Sequence, residues 1–111
     1  MVRGSPGGSG PEGPPTRKLY RVVSQTEFDR IQETGRFELG GGAEGKYFWE
    51  RLSDAKSYCE NYKNPRIVVA TYPADAVKTF HRWSELDRHG NAYFADEGQM
   101  NKSLVSIDEG R

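Results

Sequence analysis

The sequence predicts an α+β domain with more strand than helix. Three observations carry this reading. Runs rich in β-branched and aromatic residues occur at Leu19 to Val23 (LYRVV) and Arg66 to Tyr72 (RIVVATY). Two stretches between them place apolar residues at helical spacing. Short clusters of Gly, Pro and Asn punctuate the chain at turn spacing.

Leu19 to Val23 reads as the first strand. Ser24 then opens a helix, with Glu27 three residues on in the pattern of a capping box. Phe28 and Ile31 lie three apart and share the core-facing side. Gly35 is placed to end the helix in a left-handed cap. Leu39 to Gly45 (LGGGAEG) is a loop, and Tyr47 to Trp49 a short strand. Ser53 is expected to cap a second helix, with Leu52, Ala55, Tyr58 and Tyr62 along one side. Asn64-Pro65 breaks it. Arg66 to Tyr72 is the strongest strand, and Pro73 to Ala76 a turn or one helical turn. Val77 to Trp83 is expected to be a strand, Arg88 to Asn91 a turn, and Ala92 to Ala95 another strand. Gly98 to Leu104 is expected to be a short helix and Val105 to Ile107 a last strand.

The chain has 111 residues, so one domain is expected. Residues 1–16 hold five Gly, four Pro and two Ser, with Val2 the one apolar side chain after Met1. Such a segment buries nothing that offsets its ordering entropy, so it reads as a flexible tether or an expression remnant. No apolar stretch follows Arg3, so it does not read as a signal peptide. The folded domain is expected over 17–111. Sixteen basic residues balance sixteen acidic ones, which argues against a large basic footprint for nucleic acid. No run is long and apolar enough to suggest a membrane span. The single Cys59 excludes an internal disulfide. With His81 and His89 it matches no zinc spacing, so no metal is expected.

The most informative stretch is Gly45 to Cys59 (GKYFWERLSDAKSYC). Tyr47 falls on a strand, and Tyr58, eleven residues later, falls on the helix that follows. Two rings brought to one cleft form a slot for a flat cation, because aromatic faces attract positive charge. Oxidised nicotinamide is such a cation. No G-x-G-x-x-G follows a strand, so a dinucleotide held here is a substrate to be broken rather than a hydride carrier.

Three blocks together resemble the ADP-ribosyltransferase superfamily, in its branch related to diphtheria toxin and the poly-ADP-ribose polymerases. The first is LYRVVSQTEFDRIQETG, with Arg21 at the family's His or Arg position. The second is GKYFWERLSDAKSYC, whose tyrosines match the family's nicotinamide-stacking pair. The third is GNAYFADEGQMN, Gly90 to Asn101, which looks like the strand bearing the family's catalytic glutamate. The resemblance spans Leu19 to about Ile107. It implies a split, mostly antiparallel β-sheet with flanking helices and NAD as a consumed substrate. It further implies stacking by Tyr47 and Tyr58, with Phe48 beside them, and carboxamide binding by backbone groups at Val22. Arg21 would hold a phosphate or the adenosine-side ribose.

The family's glutamate slot falls at or near Ala92, which is a departure. Three accounts stand: Glu97 reaches the site from the strand's other end, the arrangement is atypical, or the chain is a disarmed variant. Glu97 is the nominal catalytic carboxylate, with Glu85 and Glu109 weaker candidates. The Gly/Pro-rich lead before a compact domain resembles the tip of a larger Rhs-type polymorphic bacterial toxin. That implies delivery as part of a secreted effector, action in the target-cell cytoplasm, a macromolecular acceptor of open class, and a cognate immunity protein that plugs the cleft. Two rival readings stand beside it. One is a metal-independent ribonuclease toxin using His81 and His89, with Arg82 or Arg88 on the phosphate. The other is a non-catalytic module that keeps the NAD cleft.

Overall fold

In the computed structural model, six antiparallel strands among the described residues form one sheet in the order β4-β5-β2-β1-β3-β6. The structure describes residues 15–38, 45–61, 63–86 and 90–110. The Gly/Pro-rich lead up to residue 14, the loop at 39–44, Tyr62, Arg88 and His89 lie outside the described residues. The fold is α+β, as the residue patterns predict.

Strand β1 runs Thr16–Val23 and starts three residues before the run LYRVV. Pro15 and Thr16 therefore belong to the fold and not to a tether. The Pro15 carbonyl accepts from the Ala74 N–H at 2.9 Å. Helix α1 spans Gln25–Thr34. Ser24 caps it by accepting from the Glu27 N–H, and Gly35 closes it at φ 74°, a conformation that suits glycine. Only half of the capping box forms, because the Glu27 carboxylate is drawn to Arg21 and Lys46 instead.

Strand β2 is Gly45–Trp49 and helix α2 is Leu52–Tyr58, followed by a 3-10 turn at Cys59–Asn61. Arg51, not Ser53, stands at the N-cap of α2, and no side chain caps it there. Strand β3 is Arg66–Pro73. The stretch expected as a strand from Val77 differs. Helix α3 takes Ala74–Val77, and the Thr79 hydroxyl donates to the Ala76 carbonyl at 2.7 Å, so β4 begins only at His81 and runs to Leu86. Strand β5 is Gly90–Asp96, absorbing the second half of the expected turn. Helix α4 is four residues, Glu97–Met100, opened by a full capping box between Asp96 and Gln99. It stops early because the Asn101 side chain binds the Phe37 backbone twice, at 2.9 and 2.7 Å. Strand β6 is Ser106–Glu109.

Strand alternation sends successive side chains to opposite faces. The larger core lies on the face under α1. Leu19, Val23, Phe48, Val68, Tyr72 and Tyr93 pack there with Phe28 and Ile31 of α1 and with Phe37 and Met100. Tyr72 is wholly buried, and its hydroxyl donates to the Met100 carbonyl at 2.5 Å. The smaller core lies under α2 and holds Val22, Trp49, Ala55, Ile67 and Ala92.

The sheet is close to dividing in the middle. β1 and β3 pair over eight residues, and β2 and β5 over five. β1 and β2 share the single pair Tyr20↔Trp49. The halves β4-β5-β2 and β1-β3-β6 meet at that one point.

Candidate functional site

The split has a backbone consequence beside Tyr47. Extending the Tyr20↔Trp49 register would set Val22 opposite Tyr47, but no such pair forms. In an antiparallel ladder a residue's N–H and C=O point to the same side. The Ile67 carbonyl accepts from Gly110 on its outer side, so Val22, opposite Ile67, turns its own N–H and C=O toward β2. They face the split. On the other side, the Tyr47 carbonyl accepts from Arg21 Nη1 at 3.1 Å in place of a strand partner. The bond gives this strand-free carbonyl a partner on the protein's surface.

Arg21 is therefore engaged. Its Nε and Nη2 donate to both Glu27 oxygens, at 2.8 and 3.0 Å. Lys46 approaches Glu27 Oε2 at 3.2 Å and is itself buried. Burial works to raise the Glu27 pKa, but the Arg21 bonds and charge, with Lys46, outweigh it and hold the carboxyl below the usual range. Burial, then repulsion from Arg21, holds Lys46 below the ordinary lysine value despite Glu27. One carboxylate serves two cations, and the bidentate arginine has the stronger share.

Beside this trio a pocket of about 300 Å³ opens on the α1 side. Ser24, Thr26, Glu27, Arg30, Arg36 and Lys46 are among the residues lining it. Arg30 is held by Glu33 and Glu38. Arg36 is exposed and makes no ion pair among the described residues. Arg21 stands between this pocket and the split, bonded to Glu27 on one side and to Tyr47 on the other.

Tyr47 and Trp49 project from the α2 face of β2. Tyr47 is 39% exposed, with its ring 5.0 Å from that of Phe94. Tyr58 reaches the same face from α2, half-buried, with its ring 5.1 Å from Trp49. The tyrosines thus share one face, and neither is entombed. Phe48 points the other way. It is wholly buried, edge-on to Phe37 and Tyr72, so its ring belongs to the main core and not to a cleft. The side chains of Arg21 and the two tyrosines likewise leave the sheet on opposite faces. Only the split connects them.

The strand end that resembles the glutamate slot is filled by packing. Ala92 is wholly buried, paired with Trp49 across β2 and in the small core with Val22 and Ala55. A carboxylate there would be a charge without a partner in an apolar nest. Glu97 is exposed at the start of α4, five residues further along and about 16 Å away for extended chain. It lies past the Gly45 end of β2, away from Trp49 and Tyr58. Glu109 is on β6, at the far edge of the sheet, paired with Arg66 at 2.6 Å.

Two carboxylates that sequence reasoning passed over lie close to Ala92. Glu50 accepts from Asn91 Nδ2 at 3.0 Å and from Arg17 at 3.3 Å, with Arg82 at 3.6 Å. The Asn91 bond is the main reason its pKa sits below the usual value. Asp54, in the first turn of α2, lies over Gly90. Its spacing of four residues from Tyr58 was the signal that could have found it, since such residues share a helix face.

His81 is exposed on β4, with its ring 4.8 Å from Trp83. Its expected partner His89 is outside the described residues. Burial pushes the Cys59 thiol up, away from reactivity. Among the described residues no three His, Cys, Asp or Glu gather to hold a metal ion. No helix among them is long and apolar enough to cross a membrane. No family model matches this chain, and neither a curated protein nor a solved structure matches it.

Proposed function

We propose that the protein is an NAD-dependent ADP-ribosyltransferase that cleaves the bond between nicotinamide and ribose. The observation that supports this most is the opening between β1 and β2. It sets the backbone of Val22 opposite the partly exposed ring of Tyr47, with Tyr58 on the same face. A carboxamide needs one donor and one acceptor, and a strand residue freed from its ladder offers both. A pyridinium ring needs an aromatic face, and the tyrosines offer two.

The α1 pocket suits the other end of NAD. Arg36 lines it, exposed and without an ion pair among the described residues, and a pyrophosphate is a dianion. Arg21 supports this site by holding β2 open and in place, while its charge is shared with Glu27. Its role is thus positioning, by geometry, rather than a free phosphate clamp.

The chemistry asks little of an acid. The ring nitrogen takes the bonding electrons and becomes neutral as it leaves. The developing ribosyl cation resembles that of glycoside cleavage and needs negative charge nearby. The acceptor of ADP-ribose is a macromolecule, protein or nucleic acid, and water takes its place where none is present. The toxin reading, with delivery by a larger effector and a cognate immunity protein, belongs to the same proposal and rests on the Gly/Pro-rich lead.

The test is nicotinamide release from NAD, followed by chromatography with purified protein, beside a parallel incubation with RNA. Release is expected, with RNA left intact. Tyr47→Ala and Tyr58→Ala should each weaken NAD about 3- to 30-fold in calorimetry, the loss of one cation–ring contact of ~0.5–2 kcal/mol. Unchanged affinity in both folded variants would defeat the reading, and RNA cleavage lost with His81→Ala would replace it.

A further inference from the structure

Resting on that reading, we propose that Glu27 is a positioning residue which, from helix α1, holds open the gap between β1 and β2. Val22 and Tyr47 stand at matching positions across this gap, and each is preceded by a long cation, Arg21 on β1 and Lys46 on β2. Both cations converge on Glu27. Arg21 donates to it from Nε and Nη2 at 2.8 and 3.0 Å, and Lys46 Nζ stands 3.2 Å from Oε2. One carboxylate thus links the two strands through side chains, where their backbones do not pair.

The arginine fork also acts on the backbone. With Nε and Nη2 on Glu27, the rigid plane of the guanidinium carries Nη1 onto the Tyr47 carbonyl at 3.1 Å. That carbonyl is the acceptor the Val22 N–H would use if the ladder ran on past Tyr20↔Trp49. Antiparallel strands in register tend to go on pairing, since each further rung satisfies a donor and an acceptor. Arg21 takes the acceptor of the next rung, and Glu27 fixes the guanidinium that takes it. The backbone groups of Val22 are left for a carboxamide.

Two features set this cluster apart from an ion pair that serves stability alone. Glu27 occupies the third position of α1, from which its side chain would cap the Ser24 N–H, and it turns to the two cations instead. Lys46 is held buried beside the gap, although burial and Arg21 both work against its charge. Desolvation of buried charges roughly cancels their attraction, so stability is a poor reason for gathering three of them here.

The experiment reads the gap by amide hydrogen exchange at Val22 and its use by NAD affinity in calorimetry. It compares the unaltered chain with Arg21→Met, Glu27→Gln and Glu27→Asp. Methionine keeps a long unbranched stem without the donors. Aspartate keeps the charge but is one methylene too short to span both cations. Exchange at Val22 is expected to slow about 10-fold in Arg21→Met and about 3-fold or more in both Glu27 variants, as the freed Tyr47 carbonyl accepts from Val22. Plain destabilisation would move exchange the other way. NAD affinity is expected to fall about 3- to 10-fold in Glu27→Gln, as the carboxamide loses its backbone partners. The sign is decisive, because removing a carboxylate from beside an anion site would by charge alone tighten the binding of a dianion.

Unchanged or faster exchange at Val22 in the Glu27 variants overturns the assignment, and so does NAD held equally or more tightly by Glu27→Gln. Slowing in Arg21→Met alone removes Glu27 from the role. If Glu27→Gln does not fold, Glu27→Asp carries the same test with the charge in place. An unaltered chain that binds no NAD defeats the proposed reaction, while exchange at Val22 still decides whether Glu27 holds the strands apart.

Discussion

Among the described residues, the face of the sheet under α1 buries fourteen core residues and the face under α2 only five. The α1 face is closed by interlocking rings: Phe48 edge-on to Phe37 and Tyr72, and Tyr72 edge-on to Phe80. Its charged margin is paired as well, in the trio of Arg21, Glu27 and Lys46. The α2 face is thin. Its rings at Tyr47 and Tyr58 stay within reach of solvent, and its one carboxylate over β5 has no partner among the described residues. The contrast teaches that one face carries most of the stability, which leaves the other free to keep rings and a carboxylate near solvent.

Neighbouring residues on β2 give the sharpest way to break this comparison. Phe48→Ala removes a wholly buried ring and should cost about 3–5 kcal/mol in urea unfolding. Tyr47→Ala, one residue away on the other face, should cost under about 1 kcal/mol, since surface changes usually do. Equal costs would mean that both faces bear the load alike.

A smaller effect is expected at the charged margin. Glu27→Gln leaves Arg21 and Lys46 facing each other without their shared carboxylate, at a cost of about 2–3 kcal/mol. The folded pKa of Glu27 lies below its unfolded value, so its stabilising effect is present above about pH 4.3 and lost as pH falls through the folded value. Acid titration of stability should therefore be shallower in Glu27→Gln than in the unaltered chain below that pH. Identical acid limbs would show that the trio contributes nothing to folding.

The smallest effect concerns the start of α1, which frames the pocket. Ser24→Ala removes the side-chain acceptor for the Glu27 N–H at 3.1 Å and should cost about 1 kcal/mol in thermal unfolding. An effect as large as that of Glu27→Gln would place the cap, rather than the ion trio, at the centre of that margin.

Much of the fold was legible because its signals are local. The Ser24 cap, the Gly35 stop and the β-branched run at Arg66 to Tyr72 each act within a few residues. The misplaced elements have non-local causes. The Asn101 side chain, which ends α4, binds Phe37 from 64 residues away. Helix α3 replaced the start of a strand because Val77 finds a buried place in the main core. The tyrosine pair was legible from spacing, and the structure sets both rings on one face. Phe48 was drawn to the site by its neighbours in sequence, whereas alternation along β2 turns it away.

The sequence by itself determined an α+β chain, the capped α1, and two tyrosines on a strand and the next helix. Those features depend on backbone preference and side-chain period, which a short stretch of chain already contains. The tertiary structure alone decided that β1 and β2 touch at one pair, that Arg21 bridges Tyr47 and Glu27 beside the gap, and that Asp54 settles on Gly90. Each of these joins residues far apart in the chain or on opposite faces, and only the pairing of strands and the seating of helices bring them within a bond's length.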